Sequence, residues 1–178
     1  MERYEDFEVV TAHALDVALA DCGLRLVDGE REALLRTVEL LEVFPDAGPA
    51  LDRLRDAGFP LAVLSNGSPR MLESMLGHAG IRDRFAAVIS VHEVRAYKPA
   101  PAVYHHAARC LGRAIGDVWL VSGNPFDAAG AKAAGMKVAK VERRPSFHYP
   151  FATAPDLTVT SLEELAGALS AAPGERRR

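Results

Sequence analysis

Cysteine is scarce in this sequence, and long apolar runs are missing from it. The two cysteines, Cys22 and Cys110, lie far apart and share no metal-ligand or redox spacing. Both fall in apolar stretches of helical character, so they read as buried free thiols of a reducing cytoplasm and not as a disulfide. No apolar run reaches the roughly eighteen residues that a membrane-spanning helix needs. The opening Met1-Glu2-Arg3-Tyr4-Glu5-Asp6-Phe7 is acidic and amphipathic, without the basic head and apolar core of a secretory signal. An excess of one charge is also missing. A formal net charge of −3 gives no electrostatic reason to expect nucleic acid or an anionic membrane surface as a partner. The one concentrated positive segment, Arg176-Arg177-Arg178, follows Pro173 and Gly174 and reads as a solvated tail. The six histidines, the pair His105-His106 included, show no metal-binding spacing and read as helix-surface residues, so no metal is expected. There is no internal repeat and no low-complexity segment.

What is present is an ordinary globular composition, 49% apolar and 25% charged, in a chain of 178 residues. That length suffices for one domain with a real core. The first stretch is all helical in pattern. Phe7, Val10, Ala14, Val17 and Ala18 recur at helical spacing between Tyr4 and Ala20, and Cys22-Gly23 is a stop. Leu34, Leu35, Val38 and Leu41 form the buried stripe of a second helix over 28–41.

At Phe44-Pro45-Asp46 the pattern changes. Helices over 47–57, 69–79, 101–111, 127–134 and 162–169 then alternate with short apolar runs at 61–64, 87–90, 118–121, 137–141 and 157–159. Strands without polar alternation are buried on both faces, and helices between them are crossovers. The pattern predicts an α/β fold with a parallel sheet flanked by helices. In such sheets, function collects at the carboxyl ends of the strands.

Three of those ends carry polar clusters. The first run ends in Ser65-Asn66-Gly67-Ser68 before Pro69, a hydroxyl-amide pair and backbone N–H groups at a helix start, which suits an anion. Ser65 or Ser68 as a plain helix cap explains it equally well. The second leads to Lys98-Pro99, with Tyr104 on the next helix able to point back at Lys98. The third ends in Ser122-Gly123-Asn124-Pro125-Phe126-Asp127 and runs into Ala128-Ala129-Gly130-Ala131, with Asp127 readable as an N-cap. Each signal is weak alone. Together they put a hydroxyl-amide pair, a lysine and a carboxylate at one edge of one sheet.

These residues resemble motifs two, three and four of the haloacid dehalogenase superfamily, closest to its (S)-2-haloacid dehalogenases. The resemblance rests on Leu64-Ser65-Asn66-Gly67-Ser68, on Tyr97-Lys98-Pro99 with Tyr104, and on Ser122-x-Asn124-x-x-Asp127-Ala128-Ala129-Gly130-Ala131, and it runs from about Tyr4 to Leu169. It implies a Rossmann-type core over 44–170, a partial helical cap over 1–43, a disordered tail over 171–178, and a homodimer. The implied substrate is a small 2-haloacid, with no cofactor. By the resemblance, Ser65 holds the substrate carboxylate and Asn66 lines the same pocket. Lys98 pairs with a nucleophilic aspartate, and Tyr104 supports Lys98. Ser122 and Asn124 position nucleophile and water, Phe126 walls the apolar pocket, and Asp127 holds Lys98 and helps activate water. A carboxylate displaces halide from C2 to give an ester, which water cleaves to the inverted 2-hydroxy acid. Phosphatases of the superfamily are the enzyme alternative. Their fourth motif usually begins Gly-Asp, and Gly123-Asn124 lacks that charge for magnesium. Gly123 itself departs from the side-chain residue common in dehalogenases, and Pro125 is a local peculiarity.

One part of the family pattern has no counterpart. The nucleophile lies in an Asp-x-x-Gly-Thr motif after an apolar first strand, and the 178 residues contain none. Asp28-Gly29 lacks the strand and the Thr, Asp46-Ala47-Gly48 opens a helix, and Asp56 lies inside one. Three expectations stay open: an earlier start that carries this strand, an inactive chain that dimerises or binds, or a strand supplied by another chain.

Overall fold

The structure, a computed structural model, describes residues 4–145 and 153–171. Of the expected tail over 171–178, Ala171 ends the last helix, and 172–178 with its three arginines lies outside the described residues, as does Arg3. No helix among the described residues is long and apolar enough to cross a membrane.

The alternation read from the sequence is the alternation that forms. Helix α1 spans Phe7–Asp21 and α2 Glu30–Thr37, extended by a 3-10 turn over Val38–Leu40. Then follow α3 (Ala47–Asp56), β1 (Ala62–Ser65), α4 (Pro69–His78), β2 (Ala87–Ser90), α5 (Pro101–Cys110), β3 (Trp119–Ser122), α6 (Pro125–Ala134), β4 (Lys137–Val141), β5 (Leu157–Val159) and α7 (Leu162–Ala171). Pro69, Pro101 and Pro125 each open a helix, where the missing N–H costs nothing. Helix α6 stops at Gly135, whose φ of +99° is open to glycine at little cost.

The parallel sheet is present in two pieces. Strand β1 pairs with β2, Ala62 opposite Ala87 and Ser65 opposite Ser90. Strand β4 lies between β3 and β5, parallel to both. Strands β1 and β3 are not paired with each other. One helical layer bridges the two pieces: Tyr104 and Ala107 of α5 and Ala128 and Ala131 of α6 pack with Ile89 of β2, Leu120 of β3 and Val138 of β4. On the other face, Ala50 and Leu54 of α3 and Leu165, Ala166 and Leu169 of α7 cover Ala139, Val141 and Val159. Burial falls toward the break. Four of the five residues of β4 are buried, none of β1 is, and Val121 in the middle of β3 is 40% exposed.

Three expectations need correction. The apolar stripes of the first two helices are not buried: neither α1 nor α2 has a buried residue, and Val17, Leu34 and Leu41 are 60%, 43% and 59% exposed. Helical periodicity marks a face that wants a partner, and the described residues cover this one only in part, with Phe7, Leu35 and Val38 half-buried. Both cysteines are exposed, because Cys22 caps one uncovered helix and Cys110 ends α5 on its outer side. Asp127 is not an N-cap. Asn124 takes that position, accepting from the Phe126 N–H at 3.2 Å, and Asp127 sits in the first turn.

Candidate active site

The site forms where the polar strand ends meet at the break between β1 and β3. Asp127 is 4% exposed, its carboxylate held at the start of α6 where the helix dipole favours negative charge. Lys98 Nζ donates to its Oδ2 at 2.8 Å, and the Tyr104 hydroxyl donates to its Oδ1 at 2.8 Å. Tyr104 is wholly buried, and burial together with that carboxylate pushes its phenol far above the ordinary tyrosine range. It stays a neutral donor. The Tyr104 hydroxyl reaches Asp127 directly, so it bears on Lys98 through that shared carboxylate.

Lys98 has a second partner. Its Nζ donates to the Leu64 carbonyl at 3.3 Å. The Leu61 carbonyl accepts from Ala86 N on the β2 side. Successive carbonyls of an extended chain face opposite edges, so that of Leu64 faces the unpaired edge of β1. The ammonium group therefore stands at the head of the break, between an open strand edge and a buried carboxylate.

The surrounding loops are pinned to one another. Asn66 Oδ1 accepts from the Lys98 N–H at 3.1 Å, so this residue fixes the lysine's backbone. Ser65 Oγ accepts from Gly67 N at 3.1 Å, which leaves its O–H proton for another acceptor. Ser122 Oγ likewise accepts from Asn124 N at 3.1 Å. Phe126 is 38% exposed at the mouth of the third loop. Gly123 has a local reason: a Cβ there would lie 3.1 Å from the Val141 carbonyl oxygen.

Other residues hold the site with little warning in the sequence. Ser90, 2% exposed, donates to the Gly67 carbonyl at 2.6 Å and accepts from His92 N, tying the first loop to β2. As the last residue of a strand it gave only the weak signal of a polar group after an apolar run. Gly130 lets α6 approach: a Cβ there would come within 2.5 Å of Pro99 Cβ and 2.8 Å of the Tyr104 hydroxyl. The small-residue run was the visible trace of this contact. The N-terminal segment joins too. Tyr4 stacks on Tyr97 at 5.2 Å, Phe7 tilts against the same ring, and Arg95, at φ +49°, lays its guanidinium over Tyr4. The Tyr97 hydroxyl donates to the Glu5 carbonyl, and burial pushes its phenol up to about 12. Ser68 meets Glu8 of α1. Helix α1 is thus anchored to the two loops that carry Ser65 and Lys98.

A family model described as haloacid dehalogenase-like hydrolase matches residues 2–135. The (S)-2-haloacid dehalogenase of Pseudomonas sp. strain YL is 33% identical over 178 residues, which is 100% of this chain and 77% of the relative. The chain belongs to the haloacid dehalogenase-like hydrolases. Among solved members of the group, it is similar to the L-2-haloacid dehalogenase from Xanthobacter autotrophicus with chloropropionic acid covalently bound. The TM-score is 0.88 at 33% identity, covering 95% of this chain and 78% of that one. A phosphatase of the haloacid dehalogenase type from Thermococcus onnurineus matches with a TM-score of 0.69 at 30% identity, over 91% of this chain and 72% of that one. Within the family fold, Lys98, Asp127, Tyr104 and Asn66 form one bonded network. Ser65 and Ser122 end β1 and β3, Asn124 caps α6, and Phe126 lies in the first turn of α6.

Proposed function

We propose that this chain serves hydrolytic dehalogenation of small 2-haloalkanoic acids to 2-hydroxy acids through an aspartyl ester. The nucleophilic carboxylate arrives on a strand, outside these 178 residues, that fills the break between β1 and β3. The observation that carries this reading is the Lys98 ammonium, bonded to buried Asp127 and to the open-edge carbonyl of Leu64. A strand laid there would satisfy two unpaired edges and bring its terminal carboxylate beside a cation already fixed in place. The covalently bound chloropropionic acid named for the Xanthobacter relative supports an ester route.

In this reading Ser65, with the N–H groups of its loop, receives the substrate carboxylate, and Asn66 lines the pocket while holding Lys98. Lys98 offsets the negative charge of the attacking carboxylate and of the departing halide. Ser122 and Asn124 set the nucleophile and the hydrolytic water. Asp127, held by Tyr104, keeps Lys98 in register and helps the water attack the ester. Phe126 forms part of the apolar wall. Residues 1–43 act as a partial helical cap over the core of 44–170. The anchoring of α1 to the Ser65 and Lys98 loops supports that placement. The uncovered stripes of α1 and α2 suit a homodimer, and the protein is read as cytoplasmic.

The phosphatase alternative draws on the Thermococcus likeness. Against it, Asn124 brings no charge where magnesium would need one, and its side-chain oxygen is engaged in capping α6. The two separate by assay. A form carrying the nucleophile strand should release chloride from (S)-2-chloropropionate without magnesium. Magnesium-dependent release of phosphate from p-nitrophenyl phosphate, with no chloride release, would refute the dehalogenase reading. In the active form Lys98→Ala and Asp127→Ala should each abolish turnover, and normal activity in either would refute its role.

A further inference from the structure

On the outer side of α5, away from the carboxylate network, three side chains of different chemistry converge. Glu93 ends the 3-10 turn Val91–Glu93 that follows β2. His106 and Cys110 share one face of α5, a helical turn apart. His106 Nε2 lies 3.2 Å from Glu93 Oε2 and 3.5 Å from Cys110 Sγ, and the three donor atoms all lie within 4.8 Å of one another. The imidazole is 12% exposed, so its ring is held by packing while the other two donors stay open to solvent.

Tetrahedral zinc has bonds of about 2.3 Å to sulfur and about 2.1 Å to nitrogen and oxygen, which sets ligand separations of about 3.6 Å for N···S and about 3.4 Å for N···O. The separations here match both. The donor set also discriminates. A thiolate and an imidazole suit borderline and soft ions, whereas calcium and magnesium want oxygen alone.

We propose that Glu93, His106 and Cys110 form a binding site for a divalent late-transition-metal ion of zinc's chemistry, with solvent as the fourth ligand. On binding, the Cys110 thiol gives its proton to solvent and its sulfur bonds the ion, while Glu93 and neutral His106 bind without losing a proton. Thiolate and carboxylate together balance the charge of the ion. The segment between Glu93 and His106 carries both Lys98 and Tyr104. A bound ion therefore closes a loop around the residues that hold Asp127, and stiffens it. The spacing of histidines alone hides this site, because the third donor comes from a separate turn.

Cobalt(II), titrated into the reduced full chain, tests it. The expected result is one ion per chain with a thiolate-to-cobalt charge-transfer band in the near ultraviolet. That band should vanish in Cys110→Ser and persist in Cys22→Ser. In His106→Ala the affinity should fall at least about tenfold, since even outer-shell partners of metal ligands contribute that much. Zinc should displace the cobalt and raise the melting temperature of the parent chain but not of Cys110→Ser. Cys110 is exposed, so that variant keeps the fold, which circular dichroism checks. No charge-transfer band, a band that depends on Cys22, or binding untouched by His106→Ala would overturn the proposal.

Discussion

Asp127 is the residue on which the site turns. Its side chain is 5% exposed and that of Lys98 15%, so the pair interacts with little screening by water. Removing one partner of such a pair strands the other. Lys98→Met should cost about 3–5 kcal/mol, read as a lower urea midpoint, and an unchanged midpoint would contradict the burial argument. Tyr104→Phe removes one hydrogen bond to a charged group and should cost about 2 kcal/mol without changing the fold. Gly130→Ala adds one methyl where Pro99 and the Tyr104 hydroxyl leave no room. It should lower stability by about 1–3 kcal/mol and shift the Lys98 loop, visible in the chemical shifts of Lys98 and Tyr104. Lys98 and Asp127 were legible in the sequence through the joint arrangement of three strand ends and the family resemblance, each signal being weak alone. Ser90 was not, since its partner Gly67 is brought to it only by the pairing of β1 with β2. Tyr104 was legible as a site residue but not its partner, which depends on how closely α6 approaches α5.

At the scale of elements, the strands were the most readable parts. The runs at 87–90, 137–141 and 157–159 form strands with those bounds, and β1 and β3 are displaced by one residue. Burial on both faces leaves few ways to place a short apolar run. Helices α1 and α2 were read correctly as helices and wrongly as buried, because periodicity does not name the partner. Asp46 shows that a correctly read element leaves the side chain's partner open. It stands at the start of α3, as read, but its carboxylate makes no cap bond. It binds Arg143 at 2.8 and 3.0 Å and accepts from Leu162 N at 2.8 Å, tying α3 to the start of α7. The Arg143 guanidinium holds this carboxyl below its ordinary range. A depressed folded value stabilises above the unfolded value of about 4 and is lost as pH falls through the folded one. Asp46→Asn should therefore flatten the acid side of the curve of urea midpoint against pH. A curve unchanged by the substitution would contradict the assignment.

At the scale of the molecule, two sheet pieces share one helical layer and face each other across an unpaired break, with a cation fixed at its head. The proposed strand answers both that arrangement and the lack of an Asp-x-x-Gly-Thr pattern in these 178 residues. The break itself was not legible in the sequence, because whether β1 and β3 pair cannot be read from either run alone. The most direct measurement joins an apolar strand ending in Asp-x-x-Gly-Thr, with a connecting helix, ahead of Met1 and follows chloride and 2-hydroxypropionate from (S)-2-chloropropionate. The account predicts equal release of the two, inverted configuration in the product, and none of either from the unextended chain or from an extended form with that Asp changed to Asn. A folded, extended chain that releases no chloride, or the same release with the Asn form, would contradict it.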